Sequence, residues 1–359
     1  KSAEGSYETG KRVGLWTRWH RNGNLEEEGQ YLINSYGEEQ KVGVWVRWHE
    51  NGEKSEEVCF HEDRKVGPLC RWHPSGQFSE QSTYVERVFA SEQSTYVRGG
   101  LDGPWTLWFP NGQIKEKGAF KLYNGSEDTH HTFLPRDRTA LPKFDDYGFY
   151  DWDWDKTPYE TPTKNGDWVY FHENGQKKAT GTYRKGYREG EWTEWHENGN
   201  QKSNGRYKNS SHLNHRREGK WIFWNKSGEK LSEGKYSDDC GRGDEDCLRR
   251  EGIWTDYYKT GGKREENTYS NGIREGRSVS WFENGRKNEE GTFADGLKTG
   301  LWISWHENGH RMEEGAYNYH SKVGRWRRWS VSGTLEATKY HQPVSSLVDW
   351  VICRVSRQK

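Results

Sequence analysis

The stretch GEWTEWHENGNQKSNGRY, Gly190 to Tyr207, places two tryptophans three residues apart ahead of an Asn-Gly pair and closes on a Gly and a Tyr. Asn-Gly between two β-prone runs is a strong hairpin signal, because a type I′ turn needs positive φ at both central residues. With Asn198-Gly199 as the turn, Trp195 faces Lys202, Glu194 faces Ser203, Trp192 faces Gly205 and Gly190 faces Tyr207. Large residues oppose glycine twice, and a ring laid over a cross-strand glycine covers bare backbone. Strand residues alternate faces, so Trp192 and Tyr207 share one face and Trp195 looks to the other.

The same string recurs along the chain. Taking its second aromatic as a ruler gives Trp19, Trp48, Trp72, Trp108, Phe171, Trp195, Trp224, Tyr257, Trp281, Trp305 and Trp329, with a basal spacing of 24 residues and longer spacings where segments are inserted. Five residues before each ruler position stands a Gly (Gly14, Gly190, Gly300 among them) and four after it another (Gly23, Gly199, Gly309). The position three before the ruler is Trp in nine units (Trp16, Trp192, Trp302), with Leu69 and Ser278 as exceptions. Eighteen of the 21 Trp belong to the repeat. The expected fold is therefore all-β, an elongated single-sheet meander of eleven 24-residue hairpin repeats, on the order of 100 Å long at about 4.8 Å per strand. Packing is the first reading of the Trp columns, since isolated hairpins are marginal and must stack to bury anything. A stacking platform for sugars or a partner is the second.

Composition agrees. Only 30% of the residues are hydrophobic and half of those are aromatic, so indoles replace an aliphatic core. Lys+Arg and Asp+Glu number 55 each, which removes the whole-molecule attraction of a nucleic-acid binder and weakens repulsion between copies. No apolar run has the length of a membrane span. The start at Lys1-Ser2-Ala3-Glu4 reads as a processed N-terminus, and five Cys beside one Met suit an oxidising compartment, so an extracytoplasmic or secreted protein is expected, with the cytoplasm as the alternative.

The repeat divides the chain into hairpins 1 to 4 (1–123), an acidic and aromatic insertion (124–164), hairpins 5 to 11 (165–341) and a C-terminal cap of helix or strand (342–359). Within the first block SEQSTYV occurs twice, at Ser79 to Val85 and Ser91 to Val97. This is a copied half-repeat near 79–102, expected to pair with its original as a side hairpin or to loop out. The insertion's DWDWD, Asp151 to Asp155, offers oxygen ligands for Ca²⁺, although a solvated acidic loop is the plainer reading. Cys240 and Cys247 bracket an Arg242-Gly243-Asp244 triplet that a disulfide would present for adhesion. Cys59 and Cys70 fall opposite each other if the turn between them centres on Arg64-Lys65, which predicts a bridge, and Cys353 is left over.

Six units carry His after the ruler: His20, His49, His73, His172, His196 and His306. Equivalent His in adjacent hairpins lie about 9.6 Å apart, too far for one zinc with bonds of about 2 Å. They read as turn-flanking surface residues that titrate together near neutral pH. No phosphate loop, nucleophile elbow or HExxH is present, so neither catalytic nor metal residues nor a cofactor are expected. The protein reads as a non-enzymatic structural or interaction scaffold.

The Gly-x-Trp-x-x-Trp-x-x-Asn-Gly core followed by Gly-x-Tyr, as in Gly190 to Tyr207 and Gly300 to Tyr317, resembles the variant MORN repeats of the bacterial YwqK-like family. That resemblance implies an elongated hairpin meander that serves as a membrane- or protein-binding scaffold, with an antitoxin-like cytoplasmic protein-binding role as an alternative and no catalytic residues to carry over; a carbohydrate surface is the alternative that the Trp columns themselves suggest. Charge adds an assembly expectation. Residues 1–60 hold 8 basic against 11 acidic groups and 297–359 hold 10 against 5. An unpaired N-terminal edge carrying Tyr7 would meet a basic end with Arg325, Arg327, Arg328, Arg354 and Cys353, joining copies head to tail into a fibre, the alternative being a monomer whose edge the C-terminal segment blocks.

Overall fold

The computed structural model describes residues 2–90, 95–122, 162–210, 213–237 and 249–342. The insertion loop with Asp151 to Asp155, the Cys240–Cys247 segment with its Arg242-Gly243-Asp244 triplet, and the C-terminal segment with Cys353 and Arg354 lie outside those residues. The chain divides into two compact units, Lys1–Glu189 and Gly190–Lys359. The first holds β1 (Ala3–Glu8), β2 (Lys11–Trp19), β3 (Leu25–Ile33), β4 (Glu39–Trp48), β5 (Lys54–His61), β6 (Arg64–Trp72), β7 (Phe78–Ala90), β8 (Thr95–Leu101), β9 (Gly103–Trp108), β10 (Ile114–Leu122), β11 (Pro162–Phe171) and β12 (Lys177–Arg184). β13 (Tyr187–Trp195) carries the boundary. The second unit continues with β14 (Gln201–Ser210), β15 (Leu213–Trp224), β16 (Lys230–Tyr236), β17 (Arg250–Tyr257), β18 (Lys263–Ser270), β19 (Ile273–Trp281), β20 (Lys287–Ala294), β21 (Leu297–Trp305), β22 (Arg311–Asn318), β23 (Ser321–Trp329) and β24 (Leu335–His341). Each unit is an open antiparallel meander, and no helix occurs among the described residues.

The register within a hairpin is the expected one for three of the four pairs: Gly190 meets Tyr207, Trp192 meets Gly205 and Glu194 meets Ser203. Trp195 meets Gln201 rather than Lys202, because the Asn-Gly turn is not type I′. Its bonds run from Gly199 N to His196 O (2.9 Å) and from His196 N to Asn200 O (2.8 Å), and of the loop residues only Gly199 has positive φ, at 86°. This is a three-residue loop, a type I turn followed by a left-handed glycine that forms a bulge. Type I′ pairs sit instead between hairpins, as at Glu62-Asp63 (φ 49° and 63°) and Asn271-Gly272 (49° and 82°).

That position moves the cysteines. The turn joining β5 to β6 centres on Glu62-Asp63, with His61 opposite Arg64, so Cys59 pairs with Val66 and Cys70 with Glu57. The expected Cys59–Cys70 disulfide is absent and both thiols are free. Burial raises the Cys70 pKa, which further disfavours its thiolate.

The two remaining glycine columns have different causes. The glycine five before each ruler residue has positive φ, and a side chain added at Gly190 or Gly219 would meet nothing within 4 Å. The requirement there is conformational: the left-handed residue bulges the strand, so that Trp221 pairs with Gly205 but Glu218 with Arg206. The glycine ten after the ruler is needed for space. A Cβ on Gly29, Gly118, Gly205, Gly234, Gly291 or Gly315 would lie 2.1 to 2.3 Å from an indole carbon of the next hairpin's Trp. The ring that covers Gly205 is thus Trp221 from the following hairpin, not Trp192 from its own, although both are cross-strand neighbours. The bulge explains the choice. It removes Arg206 C=O from the ladder, and the Trp221 indole N–H donates to that oxygen at 3.2 Å.

The copied half-repeat lengthens β7 and adds β8 without reversing the later hairpins. β7 pairs with β8 from Tyr84↔Leu101 to Ala90↔Thr95, and with β9 at Glu80↔Leu107 and Gln81↔Thr106. β8 and β9 therefore share one edge of β7. Thr95, Tyr96 and Val97 of the copy pair with Ala90, Phe89 and Val88, which follow the original, rather than with the original itself.

Candidate interaction surface

One face of each unit is a closed aromatic ladder. Trp and Tyr or Phe from successive strands meet edge to face: Tyr31–Trp45 at 4.9 Å between centroids, Tyr207–Trp221 at 5.1 Å, Tyr236–Trp254 at 4.9 Å and Tyr317–Trp326 at 5.0 Å. Such pairs add about 0.5–1.5 kcal/mol each beyond the area they bury. Trp168 is 0% exposed and Trp192, Trp221 and Trp254 are 1% exposed, so these rings are core. Two compensated defects interrupt the column. Val58 stands where the glycine would be and Leu69 where the Trp would be, both fully buried; at the other, Asn267 and Ser278 replace the pair and Ser278 Oγ donates to Asn267 Oδ1 at 2.7 Å.

A cation roofs most of these rings. Seven residues before the ruler, ten of the eleven units carry Lys or Arg. Lys41 Nζ lies 3.8 Å from the Trp45 ring centre, Lys164 4.0 Å from Trp168, Lys298 3.9 Å from Trp302 and Lys322 3.9 Å from Trp326. Each of these lysines also reaches a carboxylate of the preceding hairpin: Lys41–Glu27 at 3.2 Å, Lys164–Glu116 at 3.0 Å, Lys298–Glu289 at 2.5 Å and Lys322–Glu313 at 2.7 Å. In the first unit arginines extend this into a chain, Glu27–Arg47–Glu56–Arg71–Glu80, with Lys65 on Glu56. Burial alone would raise the Glu56 pKa, but Arg71 and Lys65 outweigh it and hold the carboxyl below its ordinary value. Neither the cation nor the carboxylate column figured in the sequence reading. The signal was a Lys/Arg at one fixed offset from the ruler, visible only when every column of the repeat is aligned.

The opposite face carries the ruler aromatics, each partly exposed. Lys263 lies 5.6 Å from the Trp281 ring and Lys287 5.5 Å from Trp305, while the same lysines pair with Glu266 (2.6 Å) and Glu290 (2.5 Å) of their own strand. The result is a stripe of indole flanked by ion pairs, one unit per hairpin.

The turns are stitched to one another. His20, His49, His196 and His306 each donate from Nε2 to the backbone oxygen of the next ruler residue, at 2.9 to 3.0 Å. Since a carbonyl only accepts, Nε2 must carry the proton. The turn Asn does the same one step on: Asn22 donates to Glu50 O, Asn51 to Pro74 O, Asn198 to Lys226 O and Asn308 to Val331 O, at 2.5 to 2.6 Å. The histidines expected as surface residues are therefore part of a hydrogen-bonded edge that fixes the stacking of hairpins.

Of the assembly residues, Tyr7 is 66% exposed on β1, and Arg325 and Arg328 are exposed, but Arg327 is committed to Glu314 at 2.8 Å within its own sheet. No group of three or more His, Cys, Asp or Glu among the described residues is placed to hold a metal. An open depression is lined by Lys121, Asn165, Thr182 and Glu189.

Six segments match the model of the MORN repeat variant: residues 12–32, 101–122, 164–185, 188–209, 250–271 and 298–319, one hairpin each. No curated protein matches the chain. Among solved structures, similarity is found to a crystal structure of TcdB2-TccC3-Cdc42 (11% identity, 94% of this chain and 18% of that chain, TM-score 0.19). A crystal structure of TcdB2-TccC3 is similar over the same shares at 11% identity, with a TM-score of 0.13. The chain thus spans 18% of the length of those chains. What the matches add to the geometry is the likeness of these six hairpins to the MORN repeat variant.

Proposed function

We infer that this chain is a non-catalytic scaffold that binds a protein lengthwise across successive hairpins. The observation that supports this most directly is the stripe of half-exposed ruler aromatics, repeated once per hairpin and held in step by the His and Asn bonds between turns. Aromatic side chains set among ion pairs are the composition of binding surfaces, with apolar anchors inside a polar rim. A sugar platform built on the other Trp column is disfavoured, because those rings are closed off by lysines, arginines and tyrosines. The antitoxin-like module implied by the resemblance belongs to the same class of protein-binding function. The expectation of an oxidising compartment loses the Cys59–Cys70 bridge on which it partly stood.

The test is photo-crosslinking in the source cells, with benzoylphenylalanine placed singly at Trp281, at Trp305 and, as a control away from the stripe, at Glu307. Discrete adducts from the two stripe positions and none from the control support the reading. Adducts from the control alone, or from no position, would refute it.

A further inference from the structure

The cation column and the carboxylate column fall out of step at one place in the second unit. Eight residues after the ruler, where Glu265, Glu289 and Glu313 stand in later hairpins, the earlier ones have Ser203 and Ser232. The cations that face these positions are arginines. Arg217 lies over Trp221 (4.5 Å), Phe223 (5.3 Å) and Tyr236 (5.8 Å) and bonds to the hydroxyls of Tyr207 and Tyr236. Arg250 lies over Trp254 (4.4 Å) and Tyr269 (5.4 Å) and donates to the Tyr269 hydroxyl at 3.3 Å. Among the described residues neither guanidinium has a carboxylate partner. The two nearby acids are engaged elsewhere, Glu194 with Lys202 (3.5 Å) and Ser203 (3.3 Å), Asp256 with Arg264 (3.9 Å). In the following hairpin the arrangement is restored, with Arg274 on Glu265 at 3.3 Å.

We propose that Arg217 and Arg250 form a paired carboxylate-binding site for an acidic segment of a partner protein. The repeat supplies the template for the ligand: the group that meets the roofing cation in neighbouring hairpins is a glutamate carboxylate, and the serines shorten that side chain. A ligand carboxylate entering there completes the geometry that Glu265 makes with Arg274. Equivalent positions of adjacent hairpins lie two strands, about 9.6 Å, apart. A peptide in the polyproline II conformation, with three residues per turn and about 3.1 Å per residue, presents acidic side chains three residues apart on one face, about 9.3 Å apart, over both arginines. Guanidinium suits this role, since it presents forked donors to a carboxylate and stays charged while stacked on a ring. The site rests on the reading of the chain as a protein-binding scaffold and names the chemistry of what it binds on the Trp–Tyr face.

The indole N–H resonances of Trp221 and Trp254 report on the site directly. Titrating the full chain with hexaglutamate should shift both saturably, with hexaglutamine at the same concentrations leaving them unmoved. Ser203→Glu with Ser232→Glu supplies the two carboxylates from within. That variant should bind hexaglutamate at least tenfold more weakly than the parent. Inorganic phosphate competing as well as the peptide would overturn the assignment to a carboxylate-bearing chain. Equal binding by parent and variant, or no shift with either peptide, would overturn the site. These outcomes leave the crosslinking test on the opposite face unaffected, so failure of the site and failure of the scaffold reading are told apart.

Discussion

Replacing Gly205 by Val should disrupt the sheet through Trp221, and replacing Trp221 by Leu in that background should repair most of the damage. A Cβ at Gly205 would sit 2.3 Å from Trp221 Cδ2, where carbon atoms normally approach to about 3.5–4.0 Å. The ring would have to retreat by more than about 1 Å. It has nowhere to go: Tyr207, Phe223, Tyr236 and Arg217 surround it, and its N–H is bonded to Arg206 O. The cost therefore falls at or above the top of the usual overpacking range of about 1–3 kcal/mol. Trp221→Leu alone deletes most of a ring that is 1% exposed and should cost about 2–4 kcal/mol, somewhat less than truncation to Ala. Independent effects would sum to about 5 kcal/mol or more. The chain itself contains the swapped pair, Val58 against Leu69 at 2% and 0% exposure, so the double variant should cost no more than the worse single one, a coupling of about 2 kcal/mol or more. Because repeat arrays need not unfold in one step, the measurement is amide exchange of β14 and β15 beside urea titration. Additivity of the two changes would refute the packing argument, and so would equal rescue by Trp192→Leu, the cross-strand neighbour that does not cover this glycine.

The other defect should be repairable in the opposite sense: Asn267→Gly with Ser278→Trp restores the repeat and should raise the melting temperature, whereas each single change lowers it by leaving a buried polar group unpaired, at about 1–3 kcal/mol, or by forcing a ring onto Asn267. Asn308→Ala removes both a bond to Val331 O and one accepted from His310 N and should cost about 1 kcal/mol or slightly more; Asn308→Asp keeps only the second, so a melting temperature equal to wild type would contradict the stitching of turns. Glu233 is held down to about 2, first by the Tyr257 hydroxyl and then by Lys220 and Lys230, against burial. Its folded value is depressed, so its contribution is fully present above the unfolded value near 4.5 and is lost as the pH falls from there through about 2. Tyr257→Phe should raise that pKa and move acid unfolding to higher pH; an NMR titration in which Glu233 still has its midpoint near 2 would count against the Tyr257 bond as the main cause.

Much of this fold is legible in the sequence because the repeat states its own constraints eleven times. The period, the pairing of Trp192 with Gly205 and the burial of that Trp column all follow from spacing alone. What does not follow is where a ring leans. Gly205 has a Trp across from it on both sides, and the choice of Trp221 depends on a bulge at Gly219 that frees one carbonyl. The turn type was hidden for a related reason: Asn and Gly fit type I′, but the Asn here is retained for its amide, which reaches the next hairpin, and only the Gly is retained for its φ. Moving a turn centre from Arg64-Lys65 to Glu62-Asp63 was enough to separate Cys59 from Cys70. The candidate site was not legible residue by residue, since Arg217 and Arg250 look like ordinary surface charges until set beside their eight counterparts.

Those counterparts show a rule in which charge and packing are the same constraint. All five lysines of the column, Lys41, Lys65, Lys164, Lys298 and Lys322, follow a hairpin with Glu at the facing position; Arg188, Arg217 and Arg250 follow Ala179, Ser203 and Ser232. An ammonium is a compact and strongly hydrated charge, so laying it on an indole removes water that a carboxylate must replace. Burial alone lowers the Lys41 pKa, and Glu27 is what opposes it. A guanidinium is weakly hydrated, lies flat on the ring and finds neutral partners such as the Tyr207, Tyr236 and Tyr269 hydroxyls, so it tolerates the loss of the acid. The same tolerance leaves Arg217 and Arg250 without an ion pair among the described residues. Hence a position that keeps its cation while giving up its carboxylate stays folded and gains affinity for an acid supplied from outside.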